Sequence, residues 1–171
     1  ATGAPQQLQA PMVVLYQPIV NPRIDAFVRQ RCARHAHMRP SRYTRQAFEE
    51  FAQAPTVFAM IADQSPSNRE EAHRTQFFNK ETLTLHGVAK YAQTYDLPIV
   101  FFHIRRTRRG FYEVWEEPLI DQPREWQAEA ISQHFMSKIE AAIRETPSIW
   151  LWSHKRWKRS EEHTSELQSR Q

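Results

Sequence analysis

MVVLYQPIVNPRID, residues 12–25, joins a short apolar run to the start of a helix. The run at residues 12–16 is continuously apolar and is closed by Pro18, which is typical of a strand buried on both faces. Asn21 is a good N-cap residue, and Pro22 follows it at the first helical position, where proline is tolerated. The helix then carries apolar side chains at three- and four-residue spacing: Ile24, Phe27, Val28 and Cys32. A buried strand followed at once by a helix predicts an α/β fold.

The same alternation of apolar runs and helices continues along the chain. TVFAMIA, residues 56–62, has no polar alternation and predicts a central parallel strand that ends at Asp63. Residues 43–53 read as a weak helix and residues 65–80 as a polar loop. Residues 82–95 carry apolar positions three and four apart, which predicts a further helix.

Two strands and one long helix are predicted in the C-terminal part. PIVFFHI (98–104) and FYEVWE (111–116) are joined by the basic turn RRTRRG, whose Gly110 supplies a permissive turn position, so they are predicted to pair as a hairpin. Residues 125–145 form the longest predicted helix. Its apolar positions recur every four residues: Ile131, Phe135, Ile139 and Ile143. We therefore expect an α/β architecture with helices layered over a mixed, mostly parallel sheet.

Composition narrows the classes of function. The length of 171 residues suits one domain, and no apolar run approaches the roughly 20 residues that span a bilayer. Three glycines leave no Gly-rich nucleotide loop, and no metal-binding pattern is found, so no cofactor is expected. Cys32 stands alone and is expected to pack. A formal net charge of +4 and a pI near 9.5 favour anionic partners.

Both ends of the chain depart from the composition of its middle. Residues 159–171, RSEEHTSELQSRQ, are rich in Ser and Glu and resemble a translated sequencing adapter. We predict an artefactual or disordered tail there, with a natural polar tail as the alternative, and place the partial domain at residues 1–158. Residues 1–11 run loosely into the first strand, so we expect the chain to begin inside that domain.

Four stretches, in the order LYQPIVNPRID, IADQSPS, FFN and RETPSIWLWSHKRWK, resemble the lipid A biosynthesis acyltransferases of Gram-negative bacteria, within the lysophospholipid acyltransferase superfamily. The resemblance covers residues 12–158. It implies a glycerol-3-phosphate acyltransferase-like fold and a transfer of a fatty acyl chain from acyl carrier protein to a hydroxyl of a phosphorylated glucosamine lipid. It also implies lipopolysaccharide biosynthesis at the cytoplasmic face of the inner membrane.

The reaction centre of that family is a His-x4-Asp/Glu pair, because a sugar hydroxyl needs a base that a carboxylate orients. None of the eight histidines in this chain has an acidic residue five positions later. In the family the motif lies just upstream of the strand that residues 12–16 match. We therefore expect an N-terminally truncated, inactive fragment in which no catalytic residue can be named.

Ligands of open α/β sheets bind at the carboxyl ends of the strands, and two such ends carry polar residues. The segments that line the acceptor pocket of the family match the same positions. The expected acceptor-site residues are Tyr16, Gln17, Pro18, Ile19, Asn21, Arg23, Ala62, Asp63 and Gln64. Gln17 replaces the arginine usual there, which weakens a phosphate role for it. Asp63 as a loop cap, Asn21 as a plain N-cap and Arg23 as solvated surface remain alternatives.

Basic and aromatic residues in two segments suit an anionic membrane interface. The expected contacts are Arg105, Arg106, Trp150, Trp152, Lys155, Arg156 and Trp157. A solvated hairpin and tryptophans packed on the sheet are the alternatives, and Phe77 and Phe78 are expected in the core rather than along an acyl channel. Two other functions compete: a non-catalytic lipid-binding relative, and a basic nucleic-acid-binding module, which we do not favour because no nucleic-acid-binding motif is present.

Overall fold

The computed structural model describes residues 10–51, 53–66, 68–153 and 156–157. The chain divides into two compact units, Ala1–Ile61 and Ala62–Gln171, called here the first and the second unit. The first unit contains, in chain order, β1 (Met12–Tyr16), α1 (Pro22–Cys32), β2 (His37–Pro40), a 3-10 turn (Ser41–Tyr43), α2 (Thr44–Phe51) and β3 (Val57–Met60).

The strands of the first unit form a three-stranded parallel sheet in the order β2-β1-β3. Val13 pairs with His37 on one side and with Phe58 on the other. The continuous apolar run of β1 is explained by this central place, since Val13 is fully buried and Leu15 is nearly so. The strand predicted at residues 56–62 is present as β3 and is parallel. Its predicted central position is wrong for this sheet, because β1 occupies the centre.

Helix α1 begins as predicted. The side-chain oxygen of Asn21 accepts hydrogen bonds from the backbone N–H groups of Arg23 (3.0 Å) and Ile24 (3.4 Å), which satisfies two donors at the helix start. None of the residues of α1 is buried, however, and Phe27 is 60% exposed. Phe48 of α2 supplies the packing of this unit instead, with its ring stacked 3.9 Å from that of Phe58.

The described part of the second unit contains two antiparallel strand pairs and two α-helices. Its elements are β4 (His73–Phe77), β5 (Lys80–Thr84), α3 (Gly87–Tyr95), β6 (Ile99–Arg108), β7 (Phe111–Ile120), a 3-10 turn (Pro123–Glu125), α4 (Ala128–Glu145) and a second 3-10 turn (Pro147–Ile149). The predicted β6–β7 hairpin and the long α4 helix are confirmed. The loop predicted at residues 65–80 is wrong in its second half, where β4 lies. The helix predicted from residue 82 starts only at Gly87, because Thr82 belongs to β5.

Helix α4 carries the core of the second unit. One cluster joins it to β4 and contains Phe77, Met136, Ile139 and Ile143. The other cluster joins it to α3 and β7 and contains Ala89, Leu119, Ile120 and Ile131. The fourfold spacing predicted for α4 is confirmed, since Ile131, Ile139 and Ile143 are buried and Phe135 packs against both clusters. The α/β class is confirmed, and parallel pairing is confined to the first unit among the described strands.

Candidate functional site

The loop that follows β1 is held by a carboxylate from the first turn of α1. The backbone N–H of Ile19 donates to Oδ1 of Asp25 at 2.9 Å, and the Tyr16 hydroxyl lies 3.4 Å from Oδ2 of the same side chain. A carboxylate in the first helical turn is also favoured by the helix dipole. The segment from Tyr16 to Ile19, predicted to line the acceptor site, therefore has a defined shape at the carboxyl end of the central strand.

The Tyr16 hydroxyl is kept neutral by its surroundings. Burial of the ring, with 9% of the residue exposed, raises the pKa of Tyr16, and the nearby Asp25 carboxylate raises it further. Arg29 and Arg42 act in the opposite direction through their charges but do not outweigh these effects. Tyr16 therefore serves as a hydrogen-bonding hydroxyl at neutral pH and not as a phenolate base.

The other predicted acceptor residues of the first unit differ in exposure and in whether their side chains are already hydrogen-bonded. Asn21 is used as the N-cap of α1, and the side-chain oxygen of Gln17 accepts a 2.8 Å hydrogen bond from the Ser41 hydroxyl. Pro18 is half-buried, whereas Ile19 is 39% exposed. Arg23 is exposed at the start of α1, and only its backbone N–H is held, by Asn21. Arg23 is therefore one exposed cation that this edge offers to an anionic group, in addition to the exposed Arg42, whose charge acts on Tyr16.

An open cleft of about 430 Å³ lies between the second half of α1 and β2. Three alanines, two arginines and three other residues line it: Ala26, Arg29, Gln30, Ala33, Ala36, His37, Met38 and Arg39. Arg39 is bound in an ion pair with Glu50 at 2.6 Å, and that hydrogen bond lowers the pKa of the Glu50 carboxyl. None of the predicted acceptor residues lines this cleft.

Ala62, Asp63 and Gln64 follow β3 in sequence and belong to the second unit. Ala62 is buried, Asp63 is half-buried and Gln64 is exposed. The backbone carbonyl of Asp63 accepts a 2.6 Å hydrogen bond from Nη1 of Arg156, and the Ser65 hydroxyl donates to the carbonyl of Arg156 at 3.2 Å. This segment is therefore fixed to the C-terminal part of its own unit.

Arg156 was predicted to contact anionic lipid, and the structure corrects that prediction. Only 7% of the residue is exposed, and its Nη2 donates to the Leu83 carbonyl at 3.3 Å. Its guanidinium also lies 5.6 Å from the centre of the Phe77 ring. Burial lowers the pKa of Arg156, although the Asp63 charge opposes that shift. A guanidinium enclosed in this way is not presented to a membrane surface.

The predicted interfacial tryptophans separate into two groups. Trp150 packs against the Phe77 cluster, and Trp157 stacks on Phe77 and donates from its indole N–H to the Thr82 hydroxyl at 2.9 Å. Trp152 is 60% exposed, with its indole N–H bound to the Pro147 carbonyl. Core packing thus accounts for two of the three rings. Lys155 and residues 159–171 lie outside the described residues.

The predicted cations of the β6–β7 hairpin are both exposed. Arg105 forms an ion pair with Glu113 at 2.6 Å, which raises its pKa, and its guanidinium lies 5.6 Å from the Trp115 ring. Arg106 is opposite Tyr112 on the other face of the hairpin. Phe77 is fully buried and Phe78 packs against it, so both belong to the core as expected.

Three residues of these sites were missed from the sequence: Asp25, Ser41 and Ser65. Asp25 lies four positions after the N-cap Asn21, and an acidic residue in the first turn is a recognised signal of a helix start. Asp25 could therefore have been predicted from the sequence. Ser41 and Ser65 bind partners 24 and 91 residues away, and nothing local indicates them.

No group of three metal-ligating side chains occurs within residues 10–51, 53–66, 68–153 and 156–157. None of the helices in that part of the chain is long and apolar enough to cross a membrane. What the first unit does offer is a shaped loop, a neutral phenol and an exposed arginine, which suit the binding of a polar, anionic ligand.

The chain was also compared with known proteins. A family model described as bacterial lipid A biosynthesis acyltransferase matches residues 6–159, which is most of the chain. No curated protein matches it significantly. The match includes β1 with its loop, the Asp63 segment and the tryptophan-rich C-terminal stretch, in the order expected from the sequence. The chain therefore belongs to the bacterial lipid A biosynthesis acyltransferase family.

Proposed function

We propose that the protein takes part in moving a fatty acyl chain from acyl carrier protein to a hydroxyl of a phosphorylated glucosamine lipid, at the cytoplasmic face of the inner membrane. The observation that carries this proposal is the family match over residues 6–159. The basic balance of the chain agrees with it, because both the carrier protein and the lipid acceptor are anionic.

The acceptor contacts are proposed at the carboxyl end of β1. The loop held by Asp25 presents the partly exposed Ile19, and Arg23 opens the helix beside it. A guanidinium at a helix start can bind phosphate oxygens through two parallel hydrogen bonds. Gln17 stands where the family usually has arginine, so Arg23 is assigned the phosphate contact of this loop. In the second unit, Ala62, Asp63 and Gln64 are proposed as acceptor contacts on the sequence prediction alone.

Transfer itself needs a group that removes the proton of the acceptor hydroxyl. Tyr16 is held in its neutral form, and the 171 residues contain no His-x4-Asp/Glu pair. We therefore expect this chain alone to bind the acceptor without acylating it. A lipid-binding relative without activity would behave in the same way. An activity measurement on the product of the complete reading frame is therefore needed to distinguish an acyltransferase from such a relative.

Binding is tested with the purified chain and a phosphorylated glucosamine disaccharide lipid in neutral detergent micelles. We expect saturable binding that is lost with the dephosphorylated lipid. Arg23→Gln should weaken binding about tenfold, the loss of one charged hydrogen-bonding contact. Arg31→Gln, an exposed arginine at the other end of α1, removes the same charge and should bind normally. Equal binding by both variants would contradict the assignment of Arg23.

Activity is tested by expressing the complete reading frame that contains residues 1–158 and supplying labelled acyl carrier protein. Label transferred to the lipid acceptor supports the acyltransferase function. Lipid binding without transfer by the complete product would make it a non-catalytic relative. The same experiment on the 171-residue chain is expected to give binding only.

A further inference from the structure

The β6–β7 hairpin has two faces of different character. Direct pairing places His103 opposite Trp115 on one face and Ile104 opposite Val114 on the other. The first face packs on α4, since Phe101 contacts Phe135 and Glu117 forms an ion pair with Lys138. The second face, called here the open face, leaves its large apolar side chains exposed.

The open face is apolar over most of its length. Its exposed apolar and aromatic side chains are Val100 (43%), Phe102 (37%), Ile104 (54%), Tyr112 (56%) and Val114 (37%). Each strand has ten residues, so the surface extends roughly 33 Å along the hairpin. Glu116, opposite Phe102, is its acidic member and lies in the half away from the turn. The half near the turn combines Ile104, Val114 and Tyr112 with Arg106.

The turn adds positive charge to this apolar surface. Arg106, Arg108 and Arg109 are exposed and form no ion pair with the other residues that the structure describes, whereas Arg105 is neutralised by Glu113 on the packed face. The guanidinium of Arg108 lies 3.7 Å from the centre of the Phe111 ring, and Phe111 is itself 53% exposed. Aromatic rings and arginines are thus side by side at the tip.

We propose that the turn half of the open face docks on an anionic lipid surface. Ile104, Val114 and Tyr112 enter the head-group layer and Arg106 on the same face binds lipid phosphates, while Phe111, Arg108 and Arg109 at the tip add an aromatic ring and two further cations. This inference rests on the proposed function and gives its membrane partner a defined contact. At a membrane surface, apolar side chains enter the interface, aromatic rings remain at head-group depth and guanidinium groups bind phosphate. A lipid surface can therefore bind all three kinds of side chain at once.

The alternatives account for less of the surface. An acidic protein would explain the arginines but would leave the apolar side chains of the open face exposed beside them. A second copy that used the same patch would bring two sets of three unpaired arginines together, because a two-fold interface places each patch against itself. A lipid surface uses the charge and the apolar side chains at once.

The charge contribution is tested with the 171-residue chain and flotation on vesicles of phosphatidylethanolamine and phosphatidylglycerol, with phosphatidylcholine vesicles for comparison. We expect binding to the anionic vesicles that weakens with salt. The triple variant Arg106→Gln, Arg108→Gln, Arg109→Gln should bind about a hundredfold less, at about fivefold per arginine. The control Arg29→Gln, Arg31→Gln, Arg34→Gln has the same net charge and should keep its binding. Equal losses in the two variants would overturn the hairpin as the contact.

The apolar contribution is tested with Ile104→Thr combined with Val114→Thr, which keeps two strand-forming residues in place. We expect the binding that survives high salt to disappear while circular dichroism stays unchanged. Unchanged salt-resistant binding would overturn the insertion of this face. So would arginine-dependent capture of acyl carrier protein without vesicle binding, or dimers that the triple variant abolishes.

The vesicle assay does not depend on acyl transfer. Loss of vesicle binding with normal transfer from detergent-dispersed substrates would reject only this inference. Normal vesicle binding without transfer by the complete reading frame would reject only the acyltransferase function.

Discussion

The guanidinium of Arg156 donates a 2.6 Å hydrogen bond to the backbone carbonyl of Asp63, which lies 93 residues earlier in the chain. A second nitrogen of the same group binds the Leu83 carbonyl. One side chain near the C-terminal end of the family match therefore fixes both the segment proposed to contact the acceptor and the end of β5. The buried charge is stabilised by the two carbonyl dipoles, by the Phe77 ring and by the charge of the nearby Asp63 carboxylate.

Replacing Arg156 with lysine should lower the free energy of unfolding of the second unit by about 2 kcal/mol. Lysine retains the buried charge, but a single ammonium cannot bind two carbonyls that a forked guanidinium reaches together. Urea unfolding followed by tryptophan fluorescence measures the change. Arg69→Lys, at an exposed position, is the control and should unfold like the original chain. An unchanged midpoint for Arg156→Lys would show that the forked geometry contributes nothing.

Asp25 is predicted to maintain the loop after β1. Asp25→Ala removes the acceptor of the Ile19 N–H and should lower stability by about 1 kcal/mol, because the bond is partly exposed to solvent. It should also weaken binding of the phosphorylated glucosamine lipid. Asp25→Asn keeps an oxygen at the same place and is expected to lose less in both measurements. Identical results for the two variants would argue against a role of the oxygen in shaping the loop.

Glu140 is predicted to make the second unit sensitive to acid. The Phe78 backbone N–H donates to its carboxylate at 2.7 Å and, with Arg144, lowers its pKa below the ordinary value of 4.5. Because the folded-state pKa is the lower one, this stabilisation is present above the unfolded-state value and is lost as the pH falls through the folded-state value. Chemical unfolding between about pH 6 and about pH 3 should show a smaller loss of stability for Glu140→Gln. An equally steep loss would assign the acid sensitivity to other groups.

Two buried threonines should behave as a coupled pair. The hydroxyls of Thr75 and Thr84 are 2.7 Å apart, and at most 3% of either residue is exposed. Thr75→Val leaves a buried hydroxyl without its partner and should cost about 1 to 2 kcal/mol. Thr84→Val in the same chain removes that hydroxyl as well, so the double variant should lose less than the two single losses added together. A double-mutant cycle from thermal unfolding provides the measurement, and simple additivity would contradict the coupling.

The same threonines explain which strands were predicted from sequence and which were not. β1 and β3 consist of apolar residues and β6 begins with an apolar run, so these hydrophobic runs were sufficient to locate the three strands. β4 (HRTQF) and β5 (KETLT) contain mostly polar residues, because Thr75, Thr82 and Thr84 face the interior and bind each other or a carbonyl. A prediction based on hydrophobicity assigns a threonine to the surface even when the residue is buried and its hydroxyl is hydrogen-bonded. The predicted polar loop was the result.

In the candidate site, the features that depend on nearby residues were predicted and those that depend on distant residues were not. The cap at Asn21 depends on neighbours within three residues and was predicted correctly, and the basic hairpin turn was found from its composition. The interior position of Arg156 depends on carbonyl groups 73 and 93 residues away. Every residue has a backbone carbonyl, so the residue types in the sequence do not indicate which carbonyls an arginine will bind. Its charge alone favoured the surface.

These distances along the chain also set an order of assembly during synthesis. The β6–β7 ladder closes across a two-residue turn, and contacts so local in sequence form within microseconds. Arg156 leaves the ribosome long after Asp63 and Leu83, so the carbonyl groups of both residues remain hydrated until it arrives. We expect the second unit to complete its packing only when its last described residues, Arg156 and Trp157, have been translated, and a nascent chain stopped before them to remain sensitive to protease.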